Sequence, residues 1–274
     1  MFTLAGKACV VTGASRGIGR AIALAFARQG GDLVLAARSR DDLQEVRGLV
    51  EAEGRRAVIQ PTDVTDLDQV RAVAICAVTH LGKIDVWVNN AGGFTAAAGS
   101  TSEWLDVTEA GFDQMLRLNL TSQVFGAQAA ARVMRRQHTG GVILFLSSID
   151  GLYAAPGGEG VYGACKAALT NITQTMAVEL GQFRIRVNAI APAIVETPLT
   201  ASWLATEKDR RSRAMFYPLR RVGQPDDVAA AAVYFASEEA AWVSGAVLLV
   251  SGGAVMTSDP YRYLMRVNQK LHHE

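Results

Sequence analysis

The chain has 274 residues, half of them hydrophobic, and its 27 basic and 26 acidic residues leave a formal net charge of +1. This length is enough for one large core, and the balanced charge gives no support to a nucleic-acid partner or an anionic membrane. Arginine groups occur at 132–136 and 210–213. We interpret them as solvated helix faces, with an anion-docking patch as the less favoured alternative.

Short apolar runs alternate with amphipathic segments along the chain. The apolar runs predict strands at Ala8–Thr12, Leu33–Ala37, Ala57–Gln60, Val86–Asn89, Val142–Ser147, Arg186–Ala191 and Val247–Val250. The segments between them predict helices at Gly17–Gln29, Arg40–Glu53, Leu67–His80, Gly111–Gln137, Val161–Gly181 and Pro225–Ala236. Strands without polar alternation are buried on both faces, as in a parallel sheet. The pattern therefore predicts a doubly wound α/β fold, in one domain over residues 1–274, with 254–274 as a carboxyl-terminal extension.

Three segments interrupt this alternation: Gly92–Thr108, Pro192–Pro218 and Ser258–Glu274. Loops at the carboxyl ends of parallel strands border the ligand crevice of such folds. The second segment is therefore a candidate substrate lid. The tail could cover the crevice or a subunit contact.

The cysteines and the amino terminus indicate a cytoplasmic protein. Cys9, Cys76 and Cys165 are far apart and lack metal-ligand spacing, which predicts reduced thiols and no metal site. For Cys165, a buried inert thiol is favoured over a nucleophile, because no histidine pattern accompanies it. The first residues lead into a strand rather than a signal peptide, and no apolar run approaches the roughly 18 residues that span a bilayer.

A glycine-rich loop follows the first predicted strand and opens the first predicted helix. Glycines permit a tight turn there and let backbone N–H groups approach a phosphate at the positive end of the helix. The loop predicts a dinucleotide site. Its candidate binding residues are Gly13, Ser15, Arg16, Gly17, Ile18 and Gly19.

The end of the second predicted strand indicates which dinucleotide binds. NAD sites commonly carry an acidic residue at this point to hold the adenosine ribose. This chain has Ala37 and then Arg38, with Arg16 already in the glycine loop. Two guanidinium groups without an acid suit a 2′-phosphate, so NADP(H) is preferred and NAD(H) is possible. The alternative is that both arginines are ordinary surface residues.

Tyr162 and Lys166 are the candidate chemical centre. They are one helical turn apart, so their side chains share a face. An ammonium group beside a phenol favours the phenolate, which predicts a lowered pKa for Tyr162. A tyrosine tuned in this way can exchange a proton with an alcohol or carbonyl oxygen near neutral pH. A solvated surface pair is the alternative for this spacing taken alone.

From about Leu4 to about Gly253 the chain resembles the short-chain dehydrogenase/reductase family. The matching motifs, in order, are Thr12–Gly19, Asp63-Val64, Asn89-Asn90-Ala91-Gly92, Asn119, Ser148-Ile149-Asp150-Gly151, Tyr162-Gly163-Ala164-Cys165-Lys166 and Arg186–Pro192. The chain departs from the family pattern at Ala193, where glycine is usual, and at Ser251, where aspartate is frequent.

The resemblance implies a Rossmann-like fold with a seven-stranded parallel sheet of order 3-2-1-4-5-6-7. It also implies further nucleotide contacts. Asp63 and Val64 would frame the adenine, and Asn90, Ala91 and Gly92 would line the cofactor path. The segment Ile194–Thr197 would hold the nicotinamide amide, and Pro192 would be a further cofactor-binding residue. Alternative roles stay open, with Asn89 and Asn90 as caps of strand ends and Asp63 as a helix N-cap.

The resemblance also assigns catalytic roles. Tyr162 would act as the acid/base, and Ser148 would bind the same substrate oxygen. Lys166 would tune the tyrosine and hold the nicotinamide ribose, and Asn119 would position a water in a proton relay. Ser147 is the alternative serine; Ser148 is preferred because Ser148-x-x-Gly151 fits the family pattern.

Aromatic and aliphatic residues around the predicted mouth favour a medium-sized apolar substrate. Candidate substrate contacts are Phe94, Tyr153 and Trp203; packing among themselves or against another subunit is the alternative. The expected function is an NADPH-dependent carbonyl reductase of the 3-oxoacyl type. A steroid-type secondary-alcohol dehydrogenase and an idle NADP-binding scaffold are the alternatives. By family resemblance, the long helices Gly111–Gln137 and Val161–Gly181 predict a homotetramer, a dimer of dimers.

Overall fold

A parallel sheet of seven strands forms the centre of the computed structural model, which describes residues 2–96, 99–155 and 157–254. The strands are β1 (Ala8–Thr12), β2 (Asp32–Ala37), β3 (Ala57–Pro61), β4 (Val86–Asn89), β5 (Gly141–Leu146), β6 (Ile185–Pro192) and β7 (Val247–Val250). Their order is β3-β2-β1-β4-β5-β6-β7, and each neighbouring pair is parallel. The predicted fold class and strand order are confirmed.

Helices connect the strands and cover both faces of the sheet. They are α1 (Gly17–Arg28), α2 (Arg40–Ala52), α3 (Leu67–Leu81), α4 (Glu109–Leu116), α5 (Ser122–Gln137), α6 (Gly160–Gly181), α7 (Glu207–Ala214) and α8 (Pro225–Ala236). Because all the strand connections are crossovers of this kind, the carboxyl ends of the strands lie at one edge of the sheet.

One prediction about the helices was wrong, and one helix was not predicted. The predicted helix Gly111–Gln137 is divided into α4 and α5 by a wide π-type turn over Arg117–Thr121. At this turn the Asn119 side chain donates to the Met115 carbonyl, at 3.2 Å, and such insertions commonly widen a helix. The segment Pro192–Pro218 contains α7, which begins with a capping box between Thr206 and Asp209.

The core forms two layers, one on each face of the sheet. Along β1, Cys9 and Val11 pack on the side of α1, α2 and α8, whereas Ala8 and Val10 pack on the side of α3 and α5. Successive strand residues point to opposite faces, so the inner strands meet a helix layer on both sides, whereas Leu248 of the edge strand β7 stays exposed. This arrangement explains why the strands read as continuous apolar runs rather than alternating ones.

The three cysteines are buried free thiols, as predicted. Burial raises the pKa of the Cys165 thiol to about 11, although the Lys166 charge opposes this shift. None of the helices within the described ranges is both long and apolar enough to cross a membrane. The predicted roles of the tail Ser258–Glu274 concern residues outside those ranges.

Candidate active site

A groove of about 1770 Å³ runs along the carboxyl edge of the sheet. It begins at the loop between β1 and α1, and it ends among the loops that follow β4, β5 and β6. The predicted nucleotide residues line it together: Gly13, Ser15, Arg16, Gly17, Ile18, Gly19, Arg38, Asp63, Val64, Asn90, Ala91, Gly92, Tyr162, Lys166, Pro192, Ile194 and Thr197. The fold thus brings residues from the whole chain into one continuous site.

The glycine loop is packed directly against the loop after β4. The Asn90 side chain donates to the carbonyl oxygens of Thr12 and Gly13, at 2.9 and 3.2 Å. The Thr12 hydroxyl accepts the backbone N–H groups of Asn90 and Ala91 in return. A Cβ atom on Gly19 would collide with the Gly13 carbonyl and lie 2.5 Å from the Asn90 amide nitrogen. Glycine is therefore required at position 19 by close backbone approach.

Helix α1 begins without a polar side-chain cap. Its N-cap residue, Arg16, makes no capping hydrogen bond, and the first turn contains no acidic residue. By contrast, α2, α3, α4 and α7 have side-chain caps at Ser39, Asp66, Thr108 and Thr206. Free N–H groups at a helix start favour an anion, so the loop and helix fit the pyrophosphate of a dinucleotide.

The adenosine end of the groove carries Arg16 and Arg38 beside Ala37. Asp63 also lines the groove, and its carboxylate accepts the backbone N–H and the hydroxyl of Thr65. The N-cap of α3 is Asp66, so the alternative role of Asp63 as that cap was wrong. Asp42 also lines this end, a neighbour that sequence reasoning did not single out.

The chemical groups meet where β5 and α6 approach each other. The Lys166 ammonium lies 5.3 Å from the centre of the Tyr162 ring and donates to the Leu146 carbonyl at 2.7 Å. Ser148 lines the same part of the groove. The hydroxyl of Ser147 donates to the Lys166 carbonyl at 3.0 Å, which anchors the α6 backbone and supports Ser148 as the serine with a hydroxyl toward the groove.

The predicted lowering of the Tyr162 pKa was wrong for this structure. Burial raises the pKa of the phenol well above its usual value, the Asp150 charge adds to the rise, and a hydrogen bond with Ser148 opposes it. Burial also lowers the pKa of Lys166 to about 8. The error lies in the weight of burial, which is the largest influence on the Tyr162 pKa; the Lys166 ammonium donates to the Leu146 carbonyl.

Asn119 lies behind the groove wall. Its side chain is fully buried, accepts the Gly93 N–H and donates to the Gly93 carbonyl, both at 2.8 Å. The residue does not line the groove itself. The structure therefore shows Asn119 fixing the loop after β4, while the proton relay stays a prediction.

The substrate end is walled by aromatic rings. The ring of Phe94 lies 5.2 Å from that of Tyr162 and 5.8 Å from that of Trp203, and Leu199 and Tyr217 line the same region. Tyr153 is exposed and is not part of the groove lining, so its predicted place at the substrate was wrong.

Three charged residues at this end were not predicted as site residues. Asp150, Glu159 and Arg213 all line the groove. Burial raises the pKa values of the two carboxyl groups. Arg213 is exposed on its helix, as predicted for its arginine group, and also borders the groove. The position of Asp150, two residues after Ser148, was the one available sequence signal.

Comparisons with known proteins agree with this geometry. A family model described as enoyl-(acyl carrier protein) reductase matches residues 13–255. The chain is 37% identical over 257 residues to the 3-oxoacyl-[acyl-carrier-protein] reductase of Thermotoga maritima, covering 92% of this chain and 99% of that protein.

Two solved structures are similar throughout. A short-chain type dehydrogenase/reductase from Mycobacterium marinum has a TM-score of 0.87 at 34% identity, over 93% of this chain and 98% of the other. A 7α-hydroxysteroid dehydrogenase complexed with NADH and 7-oxo glycochenodeoxycholic acid has a TM-score of 0.86 at 35% identity, over 93% of this chain and 97% of the other. The 7α-hydroxysteroid dehydrogenase of Escherichia coli K12 is 36% identical over 256 residues, covering 92% of this chain and 95% of that enzyme.

The chain belongs to the short-chain dehydrogenase/reductase family. It is an NAD(P)-dependent oxidoreductase with a Rossmann fold.

Proposed function

We propose that the protein is an NADP(H)-dependent oxidoreductase that interconverts a carbonyl group and a secondary alcohol, with a ketone or 3-oxoacyl compound as substrate. The observation that carries the proposal is the position of Tyr162, Ser148 and Lys166 in the groove that also contains the glycine loop. A binding scaffold would gain nothing from these three groups beside a nucleotide site.

The nicotinamide cofactor, when bound, supplies or accepts the hydride. Tyr162 donates a proton to the substrate oxygen as the carbonyl is reduced, and takes it back in the reverse direction. Its raised pKa keeps the phenol protonated at neutral pH, which suits an acid in reduction. Ser148 donates a hydrogen bond to the same oxygen and stabilises the negative charge that develops there.

Lys166 has two proposed tasks, which its geometry supports separately. Its ammonium lies over the Tyr162 ring, where its positive charge favours the phenolate formed after proton donation. Gly92 lies beside it, since a Cβ there would be 3.4 Å from Nζ. The ammonium therefore borders the cofactor path, in position to hold ribose hydroxyls.

The preference for NADP(H) over NAD(H) rests on the arginines at the adenosine end. Arg16 and Arg38 line the groove where the 2′-phosphate would lie, and no acid occupies position 37. Asp42, which also lines this end of the groove, carries a negative charge that would oppose the binding of a phosphate. Fluorescence titration with NADPH and NADH tests the preference; equal or tighter binding of NADH would refute it.

The 3-oxoacyl type of substrate is supported by the Thermotoga maritima relative and by the apolar wall of Phe94, Leu199 and Trp203. A steroid alcohol is the second candidate. The hydroxysteroid dehydrogenase structure supports it, and the same wall would suit a flat apolar substrate.

A panel assay separates these functions. NADPH oxidation is followed at its absorbance band with 3-oxoacyl thioesters, ketones and oxosteroids, and NADP⁺ reduction with the corresponding alcohols. Turnover of 3-oxoacyl thioesters supports the first candidate, and turnover of steroids alone supports the second. Nucleotide binding without turnover of any compound would favour the idle scaffold and refute the proposed reaction.

We also retain a single domain, a cytoplasmic location and a homotetramer as proposals. The tetramer is supported by apolar side chains left on the surface, among them Val178 of α6, which is 83% exposed. Light scattering after size exclusion tests it, and a concentration-independent monomer would refute it.

A further inference from the structure

Asp150 lies in the turn Ile149–Gly151 directly after Ser148 and forms two hydrogen bonds with the Ser148 hydroxyl. The Asp150 backbone N–H donates to Ser148 Oγ at 3.2 Å, and Ser148 Oγ donates to Asp150 Oδ2 at 2.9 Å. A serine hydroxyl has one hydrogen. While the carboxylate accepts that hydrogen, Ser148 cannot donate it to a substrate oxygen.

We propose that Asp150 is a positioning residue that controls the direction of the Ser148 hydroxyl. The ionised carboxylate holds the hydrogen away from the substrate, and the neutral carboxyl releases it toward the groove. The backbone contact from Asp150 to Oγ remains in both states, so the oxygen stays in place while the hydrogen turns. This inference rests on the proposed function of Ser148.

The surroundings of Asp150 favour the neutral form of its carboxyl group. Burial raises the pKa of the carboxyl, while the hydrogen bond from Ser148 and the positive charge of Lys166 lower it, with a net rise. Tyr162 and Glu159, on α6 and at its start, and Tyr217, after α7, all experience the Asp150 charge. Arg213 of α7 faces Glu159 and Tyr217.

The expected signature is a pH profile. In the wild-type protein, kcat/KM for reduction of the best carbonyl substrate from the panel should fall as the pH rises through the Asp150 pKa, because the hydroxyl is then captured. Asp150→Ala and Asp150→Asn cannot carry the charge. The ratio of the Asp150→Ala rate to the wild-type rate should therefore rise about tenfold as the pH passes from below the Asp150 pKa to above it, the worth of one hydrogen bond.

The effect should lie mainly in kcat, since the hydrogen bond to the reacting oxygen strengthens as charge develops on it. If Asp150 had a purely structural role, both variants would lower the rate by the same factor at every pH. Asp150→Asn has nearly the wild-type shape, so it supplies the test if Asp150→Ala is poorly folded.

Glu159→Gln is the matched control, because it removes a neighbouring carboxylate that has no hydrogen bond to Ser148. In this variant kcat/KM should still fall with rising pH, as in the wild-type protein. If the pH profiles of Asp150→Ala and Asp150→Asn ran parallel to the wild-type profile, the inference would be overturned. Ser148→Ala separates this failure from that of the proposed function. Full activity in Ser148→Ala refutes the role of Ser148, whereas an inactive Ser148→Ala together with parallel Asp150 profiles refutes the role of Asp150 alone.

Discussion

The two ends of the groove are built in different ways. At the nucleotide end, the loop between β1 and α1 is fixed by backbone groups and by the Asn90 side chain, with little room for variation. At the substrate end, side chains from α6, α7 and the loops after β4 and β6 contribute rings and charges. Under the proposed function, binding of the nucleotide would depend on backbone shape, whereas the chemistry would depend on buried polar side chains.

This contrast also explains what could be read from the sequence. The glycine loop was predictable because its geometry is local. A strand, a tight turn and a helix follow each other within residues 8–28, and only glycine permits the approach at Gly19. The alternating apolar runs likewise predicted all seven strands, since both faces of the sheet are covered.

The substrate end was less predictable because its contacts join distant segments. The direction of the Lys166 ammonium depends on the Leu146 carbonyl, twenty residues earlier, and no spacing rule places that carbonyl beside it. Arg213 reads as one of several arginines in a polar helix, and only the packing of α7 over the groove brings it near Glu159.

The most direct test of this contrast is a substitution of Tyr162, the proposed proton donor. Tyr162→Phe should lower kcat at least about 100-fold, because the proton donor is lost, while NADPH affinity, which is set at the other end, stays nearly unchanged. Stopped-flow or steady-state absorbance and a fluorescence titration measure the two quantities. Tyr153→Phe, exposed outside the groove, is the control. More than a few per cent of residual activity in Tyr162→Phe would contradict the assignment.

A substitution of Lys166 tests whether its buried ammonium group lowers the free energy of unfolding. Burial of its charge lowers the pKa to about 8, so folding opposes protonation. Lys166→Met should therefore be the more stable protein below about pH 8, by roughly 3 kcal/mol, and this advantage should shrink as the pH rises toward the unfolded pKa of about 10.5.

Urea unfolding of both proteins at several pH values measures this difference. The same substitution at the half-exposed Lys83, which pairs with Asp85, controls for the loss of a lysine charge as such. A Lys166→Met advantage that is absent at neutral pH, or that grows between pH 8 and 10, would contradict the expectation.

The backbone character of the nucleotide end is tested at Gly19. Gly19→Ala should lower both the free energy of unfolding, by about 1–3 kcal/mol, and the affinity for NADPH, because the added methyl group must displace Gly13 or Asn90. Gly48→Ala is the control. Gly48 lies in α2 with open space around it, so alanine there should stabilise the protein by up to about 1 kcal/mol. Equal effects of the two substitutions would contradict the close approach.

The smallest expected effect concerns the choice of nucleotide. Arg38→Ala should weaken NADPH binding about tenfold and leave NADH binding nearly unchanged, since a charge-assisted contact to the 2′-phosphate is lost. Arg40→Ala removes an exposed arginine that does not line the groove and should change neither affinity. Equal weakening of both nucleotides by Arg38→Ala would indicate a structural role instead.

The uncapped start of α1 has a consequence for the motions of the protein. Because Arg16 provides no side-chain cap, the first N–H groups of this helix have no intrahelical acceptor, and in the proposed complex the pyrophosphate of the nucleotide would take the place of a cap. The first turn of α1 should then exchange its amide hydrogens quickly in the free protein and slowly in the complex. The amide hydrogens of residues 17–19 would thus act as a built-in reporter of ligand occupancy, readable by mass spectrometry without any substrate.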